Sequence, residues 1–265
     1  MGVASKLGPK ARPPSNPSSI FVLRNNDLGD LLVVTPLFEA LKRLFPATRV
    51  IAGIGAWNVE ILEGNPFIDE IMVLNAPWHN KFVPSQSPLR ALRYIYGAAE
   101  TKALKNRRCD VGIDVLGSPF GSLLMMRAGI PWRLGVRGYA GGHSAAQQCV
   151  EFDPRESVGR ASLRFAELLG AIDLPSTKPR IFLDPTEQRR GEAIWDQAFP
   201  QMPRNTLKVI LSPGGGFPEK CWPSDRFAEL ALRMISDLGA VGLVVGGAMI
   251  AKQAAGSSLA PATHS

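Results

Sequence analysis

Phe21-Val22-Leu23-Arg24-Asn25-Asn26-Asp27-Leu28-Gly29-Asp30-Leu31-Leu32-Val33-Val34-Thr35-Pro36-Leu37 reads as a strand, a tight turn and a helix. A short apolar run ends in a polar loop. Gly29-Asp30 then open a second apolar run, whose spacing through Leu41 and Leu44 has the helical period. This order begins a doubly wound α/β domain, in which ligands sit outside the carboxyl ends of the strands. Gly29 and Asp30 are therefore expected at a crevice, with Asp27 as the competing carboxylate nearby. A purely structural role for Asp30 is a helix N-cap that accepts backbone amides, and the two roles are compatible.

Outward from this stretch the alternation continues. Arg49 to Gly53 and Glu70 to Leu74 read as strands, with a short helix at Trp57 to Glu63 stopped by Gly64-Asn65-Pro66. A loop rich in Pro and Ser, Ala76 to Pro88, leads to one long amphipathic helix at Leu89 to Asn106. A strand at Asp110 to Val115, a helix at Phe120 to Ala128 and a strand at Arg133 to Val136 follow. Gly135 to Ser144 is either a mobile loop beside a site or a surface connection, and Glu156 to Leu169 is a helix. Strands separated by helices imply a parallel sheet with right-handed crossovers.

Three prolines mark a boundary at Ala171 to Pro185. Beyond it lie a helix (Glu187 to Phe199), a strand (Leu207 to Ser212), a helix (Ser224 to Leu238) and a strand (Val241 to Val245). Ser224 is the expected N-cap of its helix, which turns Phe227, Leu230, Met234 and Leu238 inward. The expected organisation is a disordered basic tail over 1–18, a first Rossmann-like domain over 19–175, a partial second one over 185–247 and an unstructured tail over 248–265. A doubly wound domain uses roughly five strands; the second half supplies two, which leaves an apolar edge uncovered.

Ser212-Pro213-Gly214-Gly215-Gly216 has the features of a phosphate cradle. Glycines permit close backbone approach, the next helix aims its amides at the loop, and Lys220 adds a positive charge. It is not a Walker A motif, because Glu219 precedes the lysine and Cys221 follows it. The alternative for Lys220 is a solvated loop lysine, and Trp222 reads as a packing anchor.

A net charge of +7 and a pI near 9.6 favour acidic partners such as nucleotides, phosphorylated glycans or an anionic membrane surface. No aromatic-basic motif supports nucleic acid as a partner. Cys109, Cys149 and Cys221 are scattered, as are His79, His143 and His264, so no metal site and no cofactor are expected. No apolar run approaches the roughly 18 residues of a membrane span. The expected location is cytoplasmic, with peripheral contact at the cytoplasmic face of the inner membrane.

The two glycine-bearing segments together resemble glycosyltransferase family 9, the lipopolysaccharide heptosyltransferases. The matching residues are Arg24, Leu28-Gly29-Asp30 and Thr35-Pro36, then Pro213-Gly214, Lys220, Trp222-Pro223 and Arg226-Phe227-Ala228-Glu229-Leu230. The resemblance runs from about Ser19 to Gly247; the family's later Asp-x-Gly-x-x-His segment is not found, so the chain is expected to be C-terminally truncated. It implies a GT-B architecture of two Rossmann-like domains, the second incomplete. It also implies inverting transfer of a sugar from an ADP-heptose-like donor to a lipopolysaccharide core hydroxyl. Asp30 matches the catalytic base, while Gly29, Gly214, Gly215 and Lys220 match substrate and nucleotide-sugar contacts. A non-catalytic remnant that binds anionic glycolipid or nucleotide is the alternative.

Overall fold

The computed structural model describes residues 13–215 and 218–246. Most of the expected tail over 1–18 and all of that over 248–265 lie outside the described residues, as does Gly216. Contacts divide the chain into Met1–Asp184 and Pro185–Ser265. The first unit runs β1 (Ser19–Leu23), α1 (Leu28–Leu32), α2 (Thr35–Leu44), β2 (Arg49–Ile54), α3 (Val59–Leu62), β3 (Glu70–Val73), α4 (Pro88–Gly97), α5 (Ala99–Arg107), β4 (Val111–Asp114), α6 (Pro119–Arg127), β5 (Trp132–Arg137), β6 (Gln148–Glu151) and α7 (Val158–Leu168). The second runs α8 (Pro185–Ala198), β7 (Lys208–Leu211), α9 (Ser224–Leu238) and β8 (Val241–Val244).

In the first unit six parallel strands stand in the order β3-β2-β1-β4-β5-β6. The chain winds outward from β1 in one direction and from β4 in the other. The topological switch therefore falls between these two, where Leu23 is in register with Asp114. All of β1 is buried. The pleat sends Ile20 and Val22 to one face, against Phe38 and Leu41 of α2 and Leu163 of α7. Phe21 and Leu23 go to the other, with Ala91 and Ile95 of α4 and Leu124 of α6. Helices on both faces explain why the strand is apolar from Ile20 to Leu23 rather than alternating. Each such side chain stabilises the fold by about 1.5–3 kcal/mol.

Two helices read as continuous from sequence are broken. Pro36 has no N–H for the Leu32 carbonyl, and the Thr35 hydroxyl donates to that carbonyl instead at 2.9 Å, so α1 and α2 separate at Val33-Val34. The Leu89 to Asn106 helix divides at Ala98, which is extended (ψ 147°) after the poor helix former Gly97. There the Thr101 hydroxyl and the Ala98 N–H both take the Tyr94 carbonyl.

The Gly135 to Ser144 segment starts within β5, is exposed at Gly138-Tyr139 and packs again at Gly142. A Cβ on Gly142 would collide with the Gly117 backbone. The chain then enters β6, a strand absent from the sequence reading. Its approach is pinned by Arg133, which is fully buried and donates to the carbonyls of Ala145 (2.7 Å) and Ile130 (2.5 Å). Burial pushes that guanidinium down to about 10. Pro17 and Ser18, assigned to the tail from sequence, are tied down. The Thr48 hydroxyl donates to the Pro17 carbonyl, and the Ser18 N–H and hydroxyl donate to Asp110.

In the second unit β7 and β8 pair in parallel. Among its described residues only Ala240 is buried; Phe227, Leu230 and Met234 are half-buried, and Leu238 is exposed rather than inward. Ser224 is the first residue of α9 and not its cap. Pro223 holds that position, and its carbonyl receives the Arg226 and Phe227 amides.

Candidate functional site

The loop between β1 and α1 is held from below and from the side. Arg24, 5% exposed, donates its backbone N–H to Gly53 and its Nε to the Asp30 carbonyl at 3.1 Å, with Nη2 at 3.5 Å from Asp30 Oδ1. Burial lowers the Arg24 pKa, while the nearby charges of Asp30 and Asp114 raise it. Asn25 donates to the Trp78 carbonyl at 3.2 Å and Asn26 to that of His79 at 2.6 Å. The Asn26 carbonyl accepts Trp57 Nε1 and Asn58 Nδ2, both at 2.9 Å. Asp27 accepts the Lys81 N–H and pairs with its ammonium at 3.4 Å.

These attachments sort the two carboxylates. Asp27 occupies the cap position of α1, without a side-chain cap bond, and is engaged by Lys81. Asp30 lies inside the first turn, so its N-cap alternative is not realised, and its side chain is half exposed. It lines a cavity of about 360 Å³ with Gly29, Val33, Ser157, Val158, Gly159, Thr177 and Pro179. A Cβ on Gly29 would meet nothing within 4 Å, so neither packing nor a turn demands glycine there.

Across the switch point stands Asp114, a residue that sequence reasoning missed. It is fully buried and accepts the Gly117 and Ser118 amides at 3.1 and 2.8 Å. Burial pushes its carboxyl up to about 6, against those amides and the charge of Arg24. A Cβ on Gly121 would collide with this carboxylate, and Ser118 Oγ accepts the Gly121 N–H to open α6. The available signal was a strand-ending Asp followed by Gly117-Ser118-Pro119, a turn and a helix start.

In the second unit Gly214 and Gly215 follow the carboxyl end of β7 and are exposed. Lys220, also exposed, ends the short 3₁₀ turn Pro218–Lys220 before α9. Trp222 packs edge-on against Phe227 at 5.2 Å between centroids. A larger hollow of about 590 Å³, lined by residues such as Phe199, Thr206 and Val241, lies at the amino ends of β7 and β8, the wrong end for a ligand of such a sheet. The predicted site residues thus form two sets: Gly29 and Asp30 share one cavity wall, and Gly214, Gly215 and Lys220 share one loop.

Solved structures resemble this arrangement. A family 9 glycosyl transferase from Veillonella parvula aligns with TM-score 0.70 at 20% identity, over 89% of this chain and 64% of its own. E. coli ADP-heptose lps heptosyltransferase II aligns at 0.64 and 20%, over 87% and 65%. E. coli heptosyltransferase WaaC, solved with ADP, aligns at 0.58 and 15%, over 87% and 67%. The chain thus spans just under two thirds of the length of the first two. These likenesses show the fold, α/β of the GT-B type, in which the second Rossmann-like unit holds two strands among the described residues. No curated protein matches the chain. The model of the family described as "Glycosyltransferase family 9 (heptosyltransferase)" matches residues 98–262, more than half of the chain, and its span extends past Gly247. The chain belongs to glycosyltransferase family 9.

Proposed function

We propose that the chain serves inverting transfer of a heptose from an ADP-heptose donor to a hydroxyl of a lipopolysaccharide core. The donor class rests on family membership and on WaaC, which was solved with ADP and with ADP-2-deoxy-2-fluoro heptose. The observation that carries the reading is Asp30, a half-exposed carboxylate on a cavity at the carboxyl edge of the sheet, tethered by buried Arg24.

A sugar hydroxyl is a poor nucleophile. As its oxygen bonds to the anomeric carbon, Asp30 takes its proton, and the bond to the diphosphate breaks with the electron pair leaving on ADP. General-base assistance of this kind contributes about 10² to 10⁴ in rate. The open space before Gly29 admits the acceptor backbone-close. Amides of Gly214 and Gly215 and the charge of Lys220 meet the growing negative charge of the leaving diphosphate. The acceptor thereby belongs to the first unit and the donor to the second. Work at the cytoplasmic membrane surface fits this acceptor.

A second reading, binding without turnover, draws on the second unit, where only Ala240 is buried among the described residues. Amide NMR of the chain tests the division of labour. A deacylated core oligosaccharide is expected to shift Gly29, Asp30 and Gly159, and ADP to shift Gly214, Gly215 and Lys220. Core-induced shifts confined to residues away from the Asp30 cavity contradict the proposal.

A further inference from the structure

Helix α4 has two apolar faces, and the fold uses one. Ala91 and Ile95 are buried against the sheet. On the opposite side Leu89, Leu92, Arg93 and Tyr96, at i, i+3, i+4 and i+7, form a single outward stripe. Leu89 is 77% exposed, Leu92 39% and Tyr96 57%. Single exposed leucines need no explanation, but an aligned stripe of them on one helix does.

The surroundings of the stripe are basic. Residues 88–108, which span α4, α5 and the residue that ends α5, hold Arg90, Arg93, Lys102, Lys105, Arg107 and Arg108 against Glu100 alone. Residues 88–108 thus carry six cations against one anion, within a chain of net charge +7. Arg107 is bonded to Glu70, and the others do not share that carboxylate. From α6, which has no acidic residue, Arg127 lies over the Tyr96 ring at 5.6 Å. Apolar side chains flanked by long cations, with a tyrosine at the border, match the layering of a bilayer surface. Leucines reach the acyl boundary, the aromatic ring sits among headgroups, and guanidinium and ammonium groups meet lipid phosphate. Each Lys or Arg near an anionic surface adds to the attraction. At ten residues α4 is too short to cross a bilayer, and no described helix is long and apolar enough to do so.

We infer that the outer face of α4, with the basic residues of α5 and Arg127, is a docking surface for an anionic membrane. The chain lies on the bilayer through this face and does not span it. This surface lies on α4 and its neighbours and does not use the Asp30 cavity.

Sedimentation of the 265-residue chain with sucrose-loaded vesicles tests the inference. One vesicle set is phosphatidylcholine alone and the other contains about one third phosphatidylglycerol, an anionic fraction that engages polybasic segments. The wild-type chain is expected to partition onto the anionic vesicles only, and to release as salt is raised. Leu89→Ser with Tyr96→Ser, and separately Arg93→Gln with Lys102→Gln, are each expected to lower partition at least tenfold. Circular dichroism melts of these surface variants are expected to match wild type. Binding unaffected by either pair overturns the inference, as does no binding to anionic vesicles. Equal loss of vesicle binding and of polyuridylate binding, with polyuridylate bound more tightly by wild type, reassigns the face to nucleic acid and also overturns it.

Discussion

At the scale of the residue, the charge of Arg24 acts on two carboxylates of opposite character. Asp30 is half exposed to the cavity, whereas Asp114 is sealed beneath, with its pKa pushed up to about 6 by burial. Below its ordinary value of 3.8 Asp114 is protonated in both folded and unfolded chains, and its contribution to stability is fully present. As pH rises through about 6 the folded protein must ionise a buried group, and that contribution is lost. Urea unfolding of wild type and Asp114→Asn between pH 4 and 8 checks this. The wild-type stability is expected to fall relative to the variant by on the order of 3 kcal/mol, levelling above pH 7. A difference independent of pH contradicts the assignment. Asp30 was legible in the sequence because Leu28-Gly29-Asp30 is contiguous with its strand and helix. Asp114 was not, because only the strand order brings it beside β1, ninety residues away in the chain.

At the scale of the element, strand and helix types followed from hydrophobic period, whereas breaks and short edges did not. A sequence window sees Pro36 near a helix start, but not that the Thr35 hydroxyl substitutes for the missing amide. The same oxygen also accepts the Arg180 N–H at 3.0 Å, fastening the segment before the unit boundary to α2. Thr35→Val keeps the shape, leaving the Leu32 carbonyl and Arg180 amide without this partner. A loss of about 1–3 kcal/mol in urea unfolding is expected. Strand β6 escaped notice because Gln148-Cys149-Val150-Glu151 has one strongly β-forming apolar residue, and its place is set by β5 and the buried Arg133.

At the scale of the whole molecule, the two units differ in how much they bury. The first has helices on both faces of a six-stranded sheet. The second has a two-stranded sheet whose Ile210 and Val244 are about 60% exposed, and α9 buries no residue. Ordering a backbone costs about 1–2 kcal/mol per residue, which half-burial of a few side chains does not offset. We propose that the first unit folds as an independent domain and the second is held weakly. Limited proteolysis of the 265-residue chain is expected to remove the second unit first and leave a resistant core ending between Ala171 and Pro185. A resistant second unit contradicts that expectation. Family and fold were legible from two short motifs because those motifs sit at the carboxyl ends of β1 and β7, where backbone geometry and chemistry constrain the same residues.

The base assignment is tested most directly by kinetics in a chimaera of residues 13–184 with the donor-binding half of an active family member. The account predicts that Asp30→Asn in this chimaera lowers the rate of heptose transfer by at least about 10²-fold, with folding and core binding unchanged. Transfer within threefold of the unsubstituted chimaera contradicts it.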